Sequence, residues 1–447
     1  MKSLVVLLGL AFAFSLAYAA EVPSADLSIS VVRTVDITTQ IIKATTEYEI
    51  KNNGKSSVSS FLHGLSVEED KQLALILANA EKRDGKKLKT AKVEVQSAPK
   101  TQAFYRVDLE TPLAAGATAK VVVRTEVTQL LKAYPATIVQ AENQFMLYSG
   151  NAYLESPYVL ERQSTSIKVG SSKVVDFTQT DPSKHQGDSI KYGPYSKISA
   201  YSTSPITVHY ENNTPFLVVK SLERFITISH WGNIAVEDTI EIEHRGAVLK
   251  GEFSRLDYQM DRRNTNQQPV VKSFKTQIPV SARDIYYRDQ IGNISTSIVY
   301  KRANRIEVEL RPRFPLFGGW KTNYILGYNI PTNGFLFASG SEYALKIPFV
   351  DKVYDNAVIE KATVKIAFPE ASRNVRLTNP FPPDEVYATY LDTTGRKVVV
   401  LEKENVVNAH SLPITAYYEF DRISMLKEPL LVAGALFVVF VSLKLCF

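Results

Sequence analysis

The chain has 447 residues, 45% of them hydrophobic and 22% charged, with a formal net charge of +6 spread along the sequence. That length exceeds one ordinary domain and predicts two or three. The only cysteine is Cys446, which excludes an intramolecular disulfide, so stability must come from packed cores.

The N-terminus reads as a secretory signal. Lys2 supplies a positive start, 4–16 is almost wholly apolar, and Ala17-Tyr18-Ala19 is a small-x-small cleavage site with the cut after Ala19. A secretory route places the chain away from nucleic acid, which is excluded as a partner by compartment rather than by charge. The mature chain then alternates apolar and polar residues over 27–35, 41–50, 105–109 and 120–128. The pattern resumes over 216–229, 236–243, 297–310 and 362–368. Asn53-Gly54, Asp84-Gly85 and Asn333-Gly334 punctuate these runs, and period-two patterning with regular turns predicts strands. The segment 67–82, with Leu73, Leu75, Ile76 and Leu77, fits either helix or strand. The basic run 82–89 reads as a solvated hairpin around Asp84-Gly85, with anionic lipid heads or a diphosphate as the rival reading.

The polar, strand-breaking stretch 210–215 marks a boundary. The expected fold class is mainly β, with two tandem β-sandwich-like domains, 20–214 and 215–422. A membrane-proximal segment and helix, 423–447, follow the signal and these domains. The halves share an order of events. Thr46-Glu47-Tyr48-Glu49-Ile50-Lys51-Asn52-Asn53-Gly54 parallels Thr239-Ile240-Glu241-Ile242-Glu243-His244-Arg245-Gly246. Ser156-Pro157-Tyr158 before 165–169 parallels Val353-Tyr354 before 363–366, which points to an internal duplication.

At the C-terminus, 430–443 is apolar. Counted to Phe447, the segment makes roughly 27 Å of helix, enough for one crossing if Lys444 snorkels. A lipid-anchor signal fits less well, because Ser424-Met425-Leu426 is a poor cleavage site and Lys444 interrupts the tail. Cys446 reads as an idle thiol at the far edge of the membrane. No dense aromatic belt flanks the span in sequence.

Catalytic patterns are missing. There is no His-Glu-x-x-His, Gly-x-Ser-x-Gly, phosphate-binding glycine loop or Ca-binding loop, so no catalytic, cofactor or metal residue is assigned. The acidic cluster Glu68-Glu69-Asp70 reads as a solvated turn. His230-Trp231 and Trp320 read as packed aromatic positions, each with a sugar platform as the functional alternative. Two sequons, Asn212-Asn213-Thr214 and Asn293-Ile294-Ser295, are candidate glycosylation sites at Asn212 and Asn293.

The densest run is Arg311-Pro312-Arg313-Phe314-Pro315-Leu316-Phe317-Gly318-Gly319-Trp320-Lys321-Thr322, whose prolines, glycines and aromatics dictate a specific irregular path. With Ser229-His230-Trp231-Gly232-Asn233-Ile234-Ala235-Val236-Glu237 and Tyr286-Tyr287-Arg288-Asp289-Gln290-Ile291-Gly292-Asn293, it resembles the ribophorin I family. The resemblance is dense over 215–431 and looser, in order and pattern, over 26–210. It implies a non-catalytic subunit of the oligosaccharyltransferase complex of the endoplasmic reticulum. That complex transfers oligosaccharide from dolichyl diphosphate to Asn in Asn-x-Ser/Thr of nascent proteins. The implied partners are the catalytic and accessory subunits, nascent polypeptide, the translocon and membrane lipid, with no cofactor. It also implies a single-pass type I topology with the bulk lumenal, and a matching sequon at Asn293. Animal members carry a cytosolic extension after the span, so any role of that extension is left open by a sequence ending at Phe447. The complex's catalytic subunit is a many-span protein with a Trp-Trp-Asp-Tyr-Gly signature. Here one span follows the signal and the two tryptophans lie far apart, so this is not that subunit. A single-span receptor or adhesion protein fits the same layout, and the missing disulfides weigh against it. A lumenal enzyme would need a motif that is not found.

Overall fold

The computed structural model describes residues 23, 26–81, 85–96, 98–261, 269–378, 385–389 and 395–446. The signal segment with Ala19, and 82–84 of the basic run, lie outside the described residues. In chain order the first half forms β1 (Leu27–Asp36), β2 (Ile42–Asn52), β3 (Val58–Ser66), α1 (Val67–Lys71), β4 (Leu73–Ala80), β5 (Lys87–Leu88) and β6 (Thr90–Val93). It continues with β7 (Gln102–Leu113), β8 (Thr118–Val127), β9 (Lys132–Ala133), β10 (Thr137–Ile138), β11 (Phe145–Asn151) and β12 (Leu160–Lys168). It ends with β13 (Val174–Phe177), β14 (Ser183–Gln186), β15 (Ser189–Ile198) and β16 (Pro205–Glu211).

The second half opens with β17 (Leu217–Ser229), β18 (Asn233–His244), β19 (Val248–Leu249), α2 (Arg255–Asp261), β20 (Phe274–Pro279), β21 (Arg283–Arg288) and β22 (Ile298–Lys301). Then come β23 (Arg305–Leu310), β24 (Lys321–Pro331), β25 (Leu336–Ser339), β26 (Glu342–Pro348) and β27 (Val358–Ala367). β28 (Arg373–Thr378), β29 (Glu385–Ala388), β30 (Lys397–Val407) and β31 (Pro413–Glu419) complete it, before α3 (Lys427–Cys446). The fold is mainly β, as the alternation predicts.

Two expected elements are refined. The ambiguous 67–82 splits into one helical turn, α1, and a strand, β4. Ser66 caps α1 and forms a capping box with Glu69, which nucleates the turn before the apolar run takes over. The expected single strand 297–310 is a hairpin, β22–β23, folded back so that Lys301 pairs with Ile306.

Both halves repeat one pairing scheme. The large sheet of the first half runs β14-β15-β12-β1-β2-β8-β4-β5, and that of the second runs β21-β24-β18-β17-β27-β30-β29. In each, the opening strand lies antiparallel to the next strand and parallel to a later one: β1 with β2 and β12, β17 with β18 and β27. The three-stranded sheets β3-β7-β6 and β20-β23-β22 correspond, as do β13-β16-β11-β9 and β28-β31-β26-β25. The sequence parallels noted above fall on β2 and β18, and on β12 and β27.

Each large sheet turns one face inward. β1 buries every second residue along its length, and β18 does the same over most of its length. That face shares one core with the two smaller sheets of its half: Ile29, Tyr48, Phe104 and Val208 in the first, Ile226, Tyr328, Ile306 and Ile414 in the second. Each such apolar side chain contributes about 1.5–3 kcal/mol when fully buried. Between the halves, Ile41, Ala74, Val218, Val358 and Val407 form a small third cluster.

α3 is the one helix among the described residues long and apolar enough to cross a membrane, and its side chains are exposed from Leu430 to Leu445. A 3-10 turn, Arg422–Leu426, capped by Asp421, leads straight into it. One residue, Asp421, separates the buried Phe420 from that turn.

Candidate functional site: a seam, two buried arginines and a sequon turn

The run 311–322 works at the junction of the halves. Leu316 and Val271 exchange backbone hydrogen bonds at 3.0 Å, and the Leu249 amide donates to the Gly318 carbonyl at 3.2 Å. β19 in turn pairs in parallel with β10 of the first half. The Val248 amide reaches the Ala136 carbonyl at 2.8 Å, and the Lys250 amide the Ile138 carbonyl at 2.7 Å. A Cβ on Gly318 would collide with the Ala247 carbonyl, so glycine is required for this approach. Phe314, Phe317 and Trp320 cluster edge-to-face, and Phe253 joins them with centroids 5.5 Å from Phe317 and 5.8 Å from Trp320. The aromatic-packed connection expected from sequence is what forms.

Polar side chains complete the seam. Gln144 is fully buried; its amide donates to the Asn212 carbonyl at 2.9 Å, and its carbonyl accepts from the Ala247 amide at 2.8 Å. Across the seam, Gln40 donates to the Asn356 carbonyl and Lys43 to its side chain, each at 2.8 Å. Arg245 bridges Gln129 and Glu360. These contacts couple the halves; none is a nucleophile beside a base.

Each large sheet buries an arginine at its opening strand. Arg33 lies two residues before Val35, whose parallel partner is Ile167; Arg224 lies two before Ile226, whose parallel partner is Ile366. Arg33 is 2% exposed and Arg224 0%. Arg224 meets Asp351 at 2.9 Å, Asp238 at 3.6 Å and the Tyr328 hydroxyl at 2.8 Å. Arg33 meets Glu69 and the Asn151 carbonyl, each at 3.2 Å, with the buried Glu155 near enough to feel its charge. Glu155 and Asp351 each lie three residues before a tyrosine that ties down backbone, Tyr158 accepting from Leu62 and Tyr354 donating to Leu217. Burial pushes the Asp238 carboxyl up to about 7 against the pull of Arg224, with Asp351 and Glu237 adding to the rise. Burial also pushes Glu155 up to about 7, helped by Glu69 and opposed by Arg33. One carboxyl at each arginine is thus pushed toward its protonated form.

These residues were missed in sequence, and a signal was available. Arg33 interrupts Ile29-Val31-Val35 and Arg224 interrupts Leu222-Ile226, in both cases on the inward phase of the strand. A cation on the buried phase demands buried carboxylates.

The sequence candidates scatter. The acidic cluster is solvated only at Glu68: Glu69 joins the capping box of α1 and pairs with Arg33, and Asp70 accepts from Lys92 at 2.6 Å and Tyr105 at 2.7 Å. Trp320 is partly buried as expected, but Trp231 is 67% exposed, because it sits on the β17–β18 turn while His230 packs inward. Burial pushes His244 and His410 down to about 4; each ring accepts a backbone amide at 3.1 Å. Among the described residues no group of His, Cys, Asp and Glu is arranged to hold a metal ion.

The sequons differ. Asn293 is exposed in a turn where Asp289 accepts the Ile291 and Gly292 amides, and Arg313 grips Asp289 and the Gly292 carbonyl. The Arg313 hydrogen bond holds the Asp289 carboxyl down at about 2. Asn212 is 6% exposed; its amide donates to the Thr38 carbonyl at 3.1 Å, and its carbonyl accepts from the Thr214 hydroxyl at 2.6 Å. The boundary stretch at Asn212 is packed into the seam.

The family model described as Ribophorin I matches residues 28–446, spanning both repeats and α3. The chain belongs to the ribophorin I family. Among relatives, dolichyl-diphosphooligosaccharide–protein glycosyltransferase subunit 1 of Caenorhabditis elegans is 45% identical over 436 residues, covering 96% of this chain and 74% of that one. Subunit 1A of Arabidopsis thaliana is 38% identical, covering 93% and 69%. Subunit 1B of Oryza sativa subsp. japonica is 36% identical, covering 93% and 89%. The span matched by the family model takes in the residues of the seam and of the membrane-proximal turn.

Proposed function

We propose that this chain is subunit 1 of an oligosaccharyltransferase complex, a supporting subunit of the enzyme that transfers oligosaccharide from dolichyl diphosphate to asparagine in Asn-x-Ser/Thr. The observation that carries the reading is its 45% identity over 96% of its length to a protein of that name. Two features support a non-catalytic role: the seam is built of structural contacts, and the buried arginines are enclosed by their own counter-ions. The two repeats are read as domains, 20–214 and 215–422, standing in the lumen of the endoplasmic reticulum on the single span α3. Placed there by one residue of linker, they stand where nascent polypeptide emerges from the translocon and where lipid-linked donor lies. Asn293 is the glycan acceptor of the chain, and Asn212 stays unmodified.

Affinity purification of the tagged chain from mildly solubilised microsomes, with mass spectrometry, tests the reading. A many-span glycosyltransferase subunit should co-purify in stoichiometric amount. Recovery of the folded chain alone would overturn it. Removing 427–447 should release the domains from the complex, since helix packing in the bilayer is the expected tether; full assembly of that truncation would overturn the tethering role.

A further inference from the structure

Trp231 stands on the turn between β17 and β18 with 67% of its surface exposed, although tryptophan carries the largest apolar payload of any residue. Its neighbour His230 faces the other way. The His230 ring stacks on Phe420, centroids 4.1 Å apart and planes 10° apart, and meets the Tyr343 edge at 4.5 Å. Phe420 is the last buried residue before the membrane-proximal turn. His230 and Trp231 line one shallow cavity with Phe420, Ser424 and Met425. The hairpin tip is therefore level with the 3-10 turn Arg422–Leu426 that runs unbroken into α3. On that turn, Ile423 is 74% and Leu426 49% exposed.

The level can be read from the helix. Met425 lies about 8 Å of helix before Leu430, where the unbroken apolar run begins, and a headgroup layer is about 5–8 Å deep. That is the depth where tryptophan is enriched, its ring in the apolar margin and its N–H toward water. Arg422 and Lys427 bracket the turn and supply cations for lipid phosphates.

We propose that the Trp231 hairpin is a second membrane contact: the indole, with Ile423 and Leu426, seats in the phospholipid headgroup layer beside α3. Two points of contact fix the tilt of the C-terminal half over the bilayer, which one helix alone leaves free to swivel. The proposal rests on α3 being a span, and its occupant is phospholipid.

The chain has two tryptophans, so Trp320→Phe leaves Trp231 as the sole indole reporter. The full chain carrying W320F is reconstituted into vesicles of phosphatidylcholine with a minor share of phosphatidylserine, and into matched vesicles brominated high on the acyl chains. Flotation first reports whether α3 has inserted. The expected result is Trp231 emission lower by about twofold in brominated vesicles, with poor quenching by aqueous iodide. Emission equal in both vesicle sets, with free quenching by iodide, in chains that float, overturns the proposal and makes Trp231 a site for a protein neighbour. Chains that fail to float overturn the span reading and the proposal with it. The reciprocal chain, Trp231→Phe with Trp320 retained, guards against a repacking artefact: bromine quenching that persists there also overturns the proposal.

Discussion

The two halves hold the same socket and fill it differently. In the second half Arg224 faces acids from a paired strand, Asp238, and from the segment before β27, Asp351. In the first half the closest acid, Glu69, comes from α1, and it already holds the Ser66 amide and hydroxyl at 3.0 and 3.1 Å. Its side chain is 12% exposed against 4–5% for the two aspartates. A repeated strand order therefore preserves the buried cation, while the counter-ion comes from whichever element lies nearest. Replacing Arg224 with Met strands two carboxylates and should lower stability by about 3–5 kcal/mol. Arg33→Met should cost less, about 2 kcal/mol, because Glu69 keeps its capping hydrogen bonds. Urea unfolding of the two variants measures the gap; equal losses would show the sockets to be equivalent after all.

The seam sets the next largest effect. Gly318→Ala forces a methyl into the Ala247 carbonyl and should cost about 1–3 kcal/mol through displaced backbone. Gly334→Ala, at φ +92° on an open turn, meets no neighbour and should cost about 1 kcal/mol from backbone strain alone. Melting curves that rank these two the other way round would mean that the halves do not depend on the β10–β19–Gly318 contact.

The titrating carboxyls give a smaller, pH-dependent effect. Asp238 and Glu155 have folded-state values raised to about 7, above their unfolded ones. The folded state thus prefers the protonated acid. The stability this contributes is complete below the unfolded carboxylate value and is lost as pH rises through about 7. Asp238→Asn and Glu155→Gln should each flatten the stability profile between pH 5 and 7, the loss of slope being about 1 kcal/mol per pH unit in that window. An unchanged slope in Asp238→Asn would mean that Asp238 is not the group that binds a proton in the folded state.

Much of this was legible in the sequence. Strand alternation gave the sheets because period two survives wherever one face is buried, and the aromatic run announced an irregular, crowded connection. The weak repeat was legible because the second strand of each opening hairpin, β2 and β18, carries a similar run of alternating acidic and apolar residues from a threonine to a glycine. What stayed hidden depends on partners far apart in the chain. Glu69 read as solvated because its partner Arg33 lies 36 residues away. Trp231 read as packed because a turn tip and a strand end look alike in sequence, and its neighbour His230 took the inward place. Asn212 read as a glycosylation candidate because Gln144 and Thr38, which engage it, belong to other segments.

Asn212 and Asn293 carry the comparison to its smallest scale, since the same triplet pattern sits once in the seam and once on an open turn. A glycan needs the side-chain nitrogen free. Asn293 is exposed, and its turn is held by Asp289 and Arg313 rather than by the asparagine itself. Asn293→Gln should therefore remove one glycan-sized step in gel mobility and leave the melting temperature close to unchanged. Asn212 spends its amide on Thr38 and its carbonyl on Thr214, so Asn212→Gln should leave mobility unchanged and lower stability by about 1–2 kcal/mol through those lost bonds. Endoglycosidase digestion separates the two outcomes. A glycan found at Asn212 would mean that modification precedes closure of the seam, and that the seam then forms without the Thr38 bond.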